Sequence, residues 1–151
     1  MEYYLDKELI FKDLEVTDNK EALKILSTQL FKKNMVLEDY ISEVISREIE
    51  YPTGLFTGKI NIAIPHCDYK FVKKKSIAIA TLKKPIKFKK MDEPNEYVPV
   101  SIIMMIAIDN PDNHIEFLKK LFKLVQNQNI LKDLYSSKSK EDILNILNEN
   151  I

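Results

Sequence analysis

The chain has two histidines, and both stand where chemistry is commonly done. His66 ends the apolar run Ile60-Asn61-Ile62-Ala63-Ile64-Pro65, and His114 follows Asp109-Asn110-Pro111-Asp112-Asn113 and opens a helical pattern. Imidazole has the unperturbed pKa closest to neutrality, so its neutral ring offers a nucleophilic or basic nitrogen at cellular pH. Strand ends and helix starts border the crevices of α/β folds. Nucleophilic work needs one ring nitrogen without a proton while the other donates a hydrogen bond that fixes the tautomer. A backbone carbonyl or Asp68 would accept that bond from His66. Either histidine also has a plain structural reading. His66 reads as a hydrogen-bonded turn residue, and His114 shares a helix face with positions 118, 121 and 125, at the edge of a core.

Arg47 lies at the end of a predicted helix, just before Tyr51-Pro52-Thr53-Gly54. A guanidinium there is either a partner for the helix dipole or a two-pronged clamp for phosphate. Thr53 and Gly54 form a turn that offers a hydroxyl and close backbone approach to an anion, or simply stops the helix. His114, in the expected first turn of its helix, sits among free N–H groups that favour anions and oppose a charged ring, which suits a phosphate pocket. Cys67 adjoins His66. A thiol nucleophile or zinc site is disfavoured, because adjacent side chains point apart and no second cysteine exists to complete such a metal site.

These residues need a scaffold. Leu9–Leu14 alternates as a first strand. Asp18, with Glu21 three residues on, is a capping-box-like start for a helix carrying Leu23, Leu26, Leu30 and Phe31. A second helix reads from Glu38 to Glu50 with Ile41, Val44, Ile45 and Ile49 on one face. Strand patterns follow at Ile60–Ile64, Ser76–Leu82 and Val100–Ile108, the last two apolar enough to be buried on both sides. A third helix is expected from Asn110-Pro111, since proline suits a first helical position. Its apolar face would be Ile115, Leu118, Leu121, Phe122 and Val125. Helical patterns at Ile130–Tyr135 and Lys140–Asn148 close the chain. The order implies an α/β fold, a mixed β-sheet flanked by helices, in a single domain over residues 1–151.

Bulk properties narrow the function. Lys+Arg and Asp+Glu both total 23, so overall charge gives no reason to expect a nucleic-acid or membrane partner. Two glycines and no Gly-rich phosphate loop argue against a nucleotide site. One cysteine excludes an intrachain disulfide and fits a reducing compartment. The N-terminus is charged rather than signal-like, and the longest apolar run, Ser101–Ile108, is far short of the roughly 20 residues of a membrane helix. Nine lysines and no acid lie between Tyr69 and Met91. They read as a nucleic-acid patch or as a lysine-bearing exposed sheet face, and the sparse aromatics favour the second.

Taken together, Arg47-Glu48, Tyr51-Pro52-Thr53-Gly54, Ile62-Ala63-Ile64-Pro65-His66, the Ser101–Ile108 strand and His114 resemble the fructose/mannitol-type IIA component of the bacterial phosphoenolpyruvate-dependent sugar phosphotransferase system. The resemblance spans residues 5–150, and the wording around the PTG turn and Met91-Asp92 is nearer to galactitol-type members. It implies a cytoplasmic phosphoryl carrier without cofactor or metal. His66 matches the family's phosphorylated histidine, Arg47 its arginine near the phosphoryl group, and His114 its second histidine. The expected partners are the histidine-containing phosphocarrier protein as donor and a IIB component of a sugar permease as acceptor, with no nucleic acid and no direct membrane insertion. A regulatory module of the same fold, gated by its phosphorylation, is the alternative. The site is expected to be shallow, with Leu55, Phe56 and Ile115 at its rim.

Overall fold

A computed structural model describes residues 3–151. The elements run β1 (Ile10–Leu14), α1 (Asn19–Lys32), α2 (Asp39–Glu50), β2 (Gly54–Leu55), β3 (Ile62–Ala63), β4 (Ser76–Lys89), β5 (Tyr97–Ala107), α3 (Ile115–Val125), α4 (Gln128–Ser136) and α5 (Lys140–Asn150). The sheet order is β1-β4-β5-β3-β2. β1 is parallel to β4 and β3 to β5, whereas the β4–β5 and β2–β3 pairs are antiparallel. This is the expected mixed sheet with helices packed on it. Its centre is fully buried, with Ile77 to Ala80 of β4 and Ile102 to Met105 of β5 shut off from solvent.

Local signals explain most of these elements. Asp18 accepts the Glu21 N–H at 2.9 Å, and the Glu21 carboxylate reaches back to the Thr17 N–H at 2.9 Å. That reciprocal pairing starts α1. β4 runs past its expected end at Leu82 because the pairing with β5 slips between Thr81 and Ile86. Pro85 falls in this slip, where no ladder donor is required of it. Beyond the slip, exposed Lys87 and Lys89 alternate with buried Ile86 and Phe88, so these lysines occupy the solvent face of a strand.

Three expectations are corrected. The strand at Ile60–Ile64 is only Ile62–Ala63, because the Ile60 N–H is taken by the Gln128 side chain instead of a ladder partner. The third helix starts at Ile115, because Pro111–Asn113 forms a separate 3-10 turn capped by the Asn110 side chain. His114 is therefore the junction residue before the helix. Its buried residues are Phe117, Leu121, Leu124 and Val125, with Ile115 and Phe122 exposed. On α2 the buried residues are Tyr40, Val44 and Glu48, and Ile49 is 76% exposed. Apolar periodicity overlooked the α2 face because a hydroxyl and a carboxylate, each with a partner, sit among its buried positions.

Candidate functional site

β3 carries the chain outward from the sheet, and His66 follows three residues after its last strand residue. Two backbone hydrogen bonds hold the exit. The Ile64 N–H donates to the Thr53 carbonyl at 3.2 Å, and the Ile106 N–H donates to the Pro65 carbonyl at 3.0 Å. Within this frame His66 Nδ1 lies 2.8 Å from the Ile64 carbonyl oxygen. A carbonyl only accepts, so Nδ1 carries the proton and Nε2 keeps its lone pair. The required tautomer lock is thus made by backbone. Asp68 instead caps a short turn by accepting the Lys70 N–H.

His66 opens onto a hollow of about 240 Å³ whose wall includes Ile64, Ile106, Ile108, Leu118 and Phe122. Tyr69 also lines it, and Tyr69 and Phe122 are 51% and 46% exposed. Apolar walls beside the imidazole keep water sparse and leave the outer rim open to a partner surface. The expected rim is only partly matched. Ile115 borders the neighbouring hollow beside His114, and Leu55 and Phe56 line neither.

Arg47 reaches toward this end of the molecule. It lies over the Tyr51 ring, 4.9 Å from the centroid, and makes no salt bridge among the described residues. Burial pushes the Cys67 thiol up to about 12, the Glu43 charge adds to the shift and Arg47 opposes it. Arg47 therefore acts electrostatically on the residue next to His66. The same shift keeps Cys67 protonated, which leaves it inert as a nucleophile.

His114 is arranged differently. Its Nε2 lies 2.6 Å from Asp109 Oδ1, and the ring faces a second hollow shared with Lys75, Asn113 and Phe117. Partial burial raises the Asp109 carboxyl, but the hydrogen bond from His114 and those from backbone amides outweigh it and hold Asp109 below its ordinary value. The two histidines share neither a hollow nor a hydrogen bond. Residues on either side of His114, Pro111 and Leu118, do line the His66 hollow. α3 begins without a side-chain cap, so its first amides remain available to an anion.

Thr53 and Gly54, read from sequence as phosphate contacts, have other tasks. The Thr53 N–H donates to Glu48 Oε2 and its hydroxyl to Glu48 Oε1, both at 2.7 Å, and Thr53 is 2% exposed. Its polar groups are committed. Gly54 packs so closely on the sheet that a Cβ would lie 2.7 Å from the Lys89 carbonyl and 2.8 Å from Val98. The turn fastens α2 to the strand that presents His66. Burial pushes Glu48 up to about 7 against the lowering effect of its two bonds from Thr53.

Sequence reasoning missed the roles of Glu48, Asp109 and Tyr40. Tyr40 is buried and donates its hydroxyl to the Ile106 carbonyl at 2.9 Å, steadying the wall of the hollow. Spacing held the signal: Tyr40, Val44 and Glu48 recur every four residues on α2, and a Thr-Gly turn follows within reach. Among the described residues no three His, Cys, Asp or Glu side chains gather to hold a metal ion, and no helix is long and apolar enough to cross a membrane.

Comparison with known proteins bears on the family and the fold. A family model described as "Phosphoenolpyruvate-dependent sugar phosphotransferase system, EIIA 2" matches residues 3–150. The galactitol-specific EIIA component of Escherichia coli K12 is 28% identical over 121 residues, 80% of this chain and 80% of that protein. The transcriptional regulator ManR of Bacillus subtilis is 36% identical over 114 residues, 76% of this chain but 16% of the regulator. The solution structure of the Escherichia coli mannitol enzyme IIA, in complex with phosphorylated enzyme IIB, has the same fold. Its TM-score is 0.78 at 22% identity, covering 97% of this chain and 99% of that one. The chain belongs to the EIIA type 2 family of the phosphoenolpyruvate-dependent sugar phosphotransferase system.

Proposed function

We propose that the protein is a cytoplasmic phosphoryl carrier that takes its phosphoryl group on His66 Nε2 and passes it to a IIB component of a sugar permease. One observation carries the reading: His66 Nδ1 is tied to the Ile64 carbonyl, so the bare Nε2 is the nitrogen left to face the apolar hollow. The donor is the histidine-containing phosphocarrier protein. The Nε2 lone pair attacks the donor's phosphorus in line, a new N–P bond forms, and the donor's N–P bond breaks with its electron pair returning to the donor imidazole. Transfer to the IIB component repeats the displacement with Nε2 as leaving nitrogen. The proton on Nδ1 stays in place, and the Ile64 carbonyl stabilises the charge that the ring acquires while phosphorylated.

Phosphoryl transfer asks a protein mainly to position groups and stabilise spread negative charge. Arg47 offers a planar fork with no competing salt bridge, suited to two phosphoryl oxygens. The uncapped amides of α3 supply further donors from the adjoining edge, and His114, whose Nε2–H is committed to Asp109, adds one through Nδ1 when that nitrogen too carries a proton. The kinship with a galactitol-specific component makes galactitol the first sugar to test. Incubation with phosphoenolpyruvate, enzyme I and the phosphocarrier, followed by site mapping, tests the carrier reading. Acid-labile label on His66 that discharges onto a IIB component is the expected result.

A regulatory role of the same phosphohistidine is the second reading. Its support is the 36% identity to a segment of a transcriptional regulator. It expects label on His66 that no IIB component removes.

A further inference from the structure

Glu48 sits in a place that would ordinarily reject a carboxylate. It is 5% exposed. It lies in the last turn of α2, where the helix dipole is negative and orphan carbonyls need donors, not acceptors. Ending a helix calls for a glycine or a basic side chain at low cost. A buried acid at that position makes sense only through what it grips. Both its oxygens accept from one residue, the Thr53 amide and hydroxyl, each at 2.7 Å. Thr53 in turn accepts the Ile64 N–H on its carbonyl, and the Ile64 carbonyl accepts from His66 Nδ1.

We infer that Glu48 is a positioning residue that locks the α2 end, with Arg47 beside it, to the Ile64–His66 segment, and so sets both the tautomer of His66 and the spacing between the nucleophile and its phosphate clamp. Each link is a hydrogen bond between buried or half-buried groups, and there is one path: carboxylate, Thr53, Ile64, imidazole. Because residues 47 and 48 are adjacent on one helix, the carboxylate that grips Thr53 fixes the backbone from which the guanidinium extends. Loss of the grip leaves the Thr53 amide buried without a partner, which the turn relieves by shifting toward water. The Ile64 carbonyl then shifts with it, and the ring loses its reason to keep the proton on Nδ1. Displacements near 1 Å at a reacting group cost up to about a hundredfold in rate.

The test separates grip from charge. Glu48→Met removes both acceptors at similar volume. Glu48→Gln retains two bonds, because its amide oxygen accepts from the Thr53 N–H while the threonine hydroxyl turns to accept from the new NH₂. The primary readout is the ring nitrogen spectrum of His66 in the whole, unphosphorylated chain, with amide spectra reporting that each variant is folded. Glu48→Met is expected to change His66 from one tautomer to a mixture, and Glu48→Gln to keep the wild-type tautomer. Thr53→Val, which deletes one bond and keeps the shape, is expected to show a smaller shift in the same direction. A folded Glu48→Met or Thr53→Val protein with the wild-type tautomer overturns the inference. The second readout, phosphoryl acceptance slowed about tenfold to a hundredfold in Glu48→Met and restored in Glu48→Gln, rests on the carrier reading. Failure of the wild-type chain to label would defeat that reading alone, because the tautomer comparison needs no phosphoryl group.

Discussion

The two histidine sites solve opposite problems with the same ring. At His66 the partner is a neutral backbone carbonyl on Nδ1, which spends one proton and leaves Nε2 bare beside an apolar hollow. At His114 the partner is a carboxylate on Nε2, so the corresponding nitrogen is occupied and bears a proton toward Asp109. In the neutral ring each histidine therefore has one nitrogen that donates and one that is bare, Nε2 at His66 and Nδ1 at His114. The residue type alone does not distinguish them; the partner atom does. The surroundings follow suit, with aliphatic walls at His66 and Lys75, Asp112 and Glu116 around His114.

The sharpest way to break this comparison is to remove the His66 ring. His66→Ala should lose acid-labile labelling altogether while keeping its amide spectrum. Residual full labelling would move the nucleophile elsewhere. Arg47→Lys keeps the charge but loses the fork. Quenched-flow measurement should show acceptance on His66 slowed about tenfold to a hundredfold. An unchanged rate would mean that the guanidinium is only a companion of Tyr51.

His114→Ala should still label at His66 and should transfer onward more slowly, by about tenfold or somewhat more. Asp109→Asn should reproduce part of that loss, about tenfold or less, because the ring is no longer steered by a carboxylate. If both variants discharge at the wild-type rate, His114 belongs to the fold rather than to the chemistry.

The smallest effect is on stability, and it probes the clamp behind His66. Burial lifts the Glu48 carboxyl to about 7 from the ordinary range of a glutamic acid, so the folded chain holds this proton more tightly than the unfolded one. The sign follows from linkage: this group's contribution is fully present below about pH 4.5 and is lost as pH rises through about 7, by up to about 3 kcal/mol. Lys20, Lys87, Lys89 and Tyr97 line the same groove, and none is in a salt bridge with Glu48. Denaturant midpoints across pH 5 to 8 should therefore fall for the wild type relative to Glu48→Gln. Parallel profiles would show that the carboxyl titrates as an exposed acid does.

Much of the scaffold was legible because its signals are local. The Asp18–Glu21 start and the apolar strands that became β4 and β5 each act over a few residues. The Ile62–His66 segment, Arg47-Glu48, the Tyr51-Pro52-Thr53-Gly54 turn, the Ser101–Ile108 strand and His114 together indicated the family. What sequence spacing hid was long-range or polar. β2 is two residues long, and Gly54 is what lets it fit against Lys89 and Val98. The length of β4 depends on a register slip at Pro85. Thr53 looked like a phosphate ligand because hydroxyl and glycine together suggest an anion turn, yet its hydrogens go to Glu48, a residue that helical apolar periodicity passes over. His114 was placed one turn too far into its helix, since Asn110-Pro111 caps a 3-10 turn as readily as an α-helix.

The central claim is that His66 is the nucleophile and Nε2 its reacting atom. Phosphorylation of ¹⁵N-histidine-labelled protein through enzyme I and the phosphocarrier, followed by phosphorus–nitrogen correlation, reads this directly. The account predicts a single phosphohistidine, coupled through Nε2 of His66, with the proton retained on Nδ1. A phosphorus coupled to Nδ1 of His66, or to either nitrogen of His114, would contradict it.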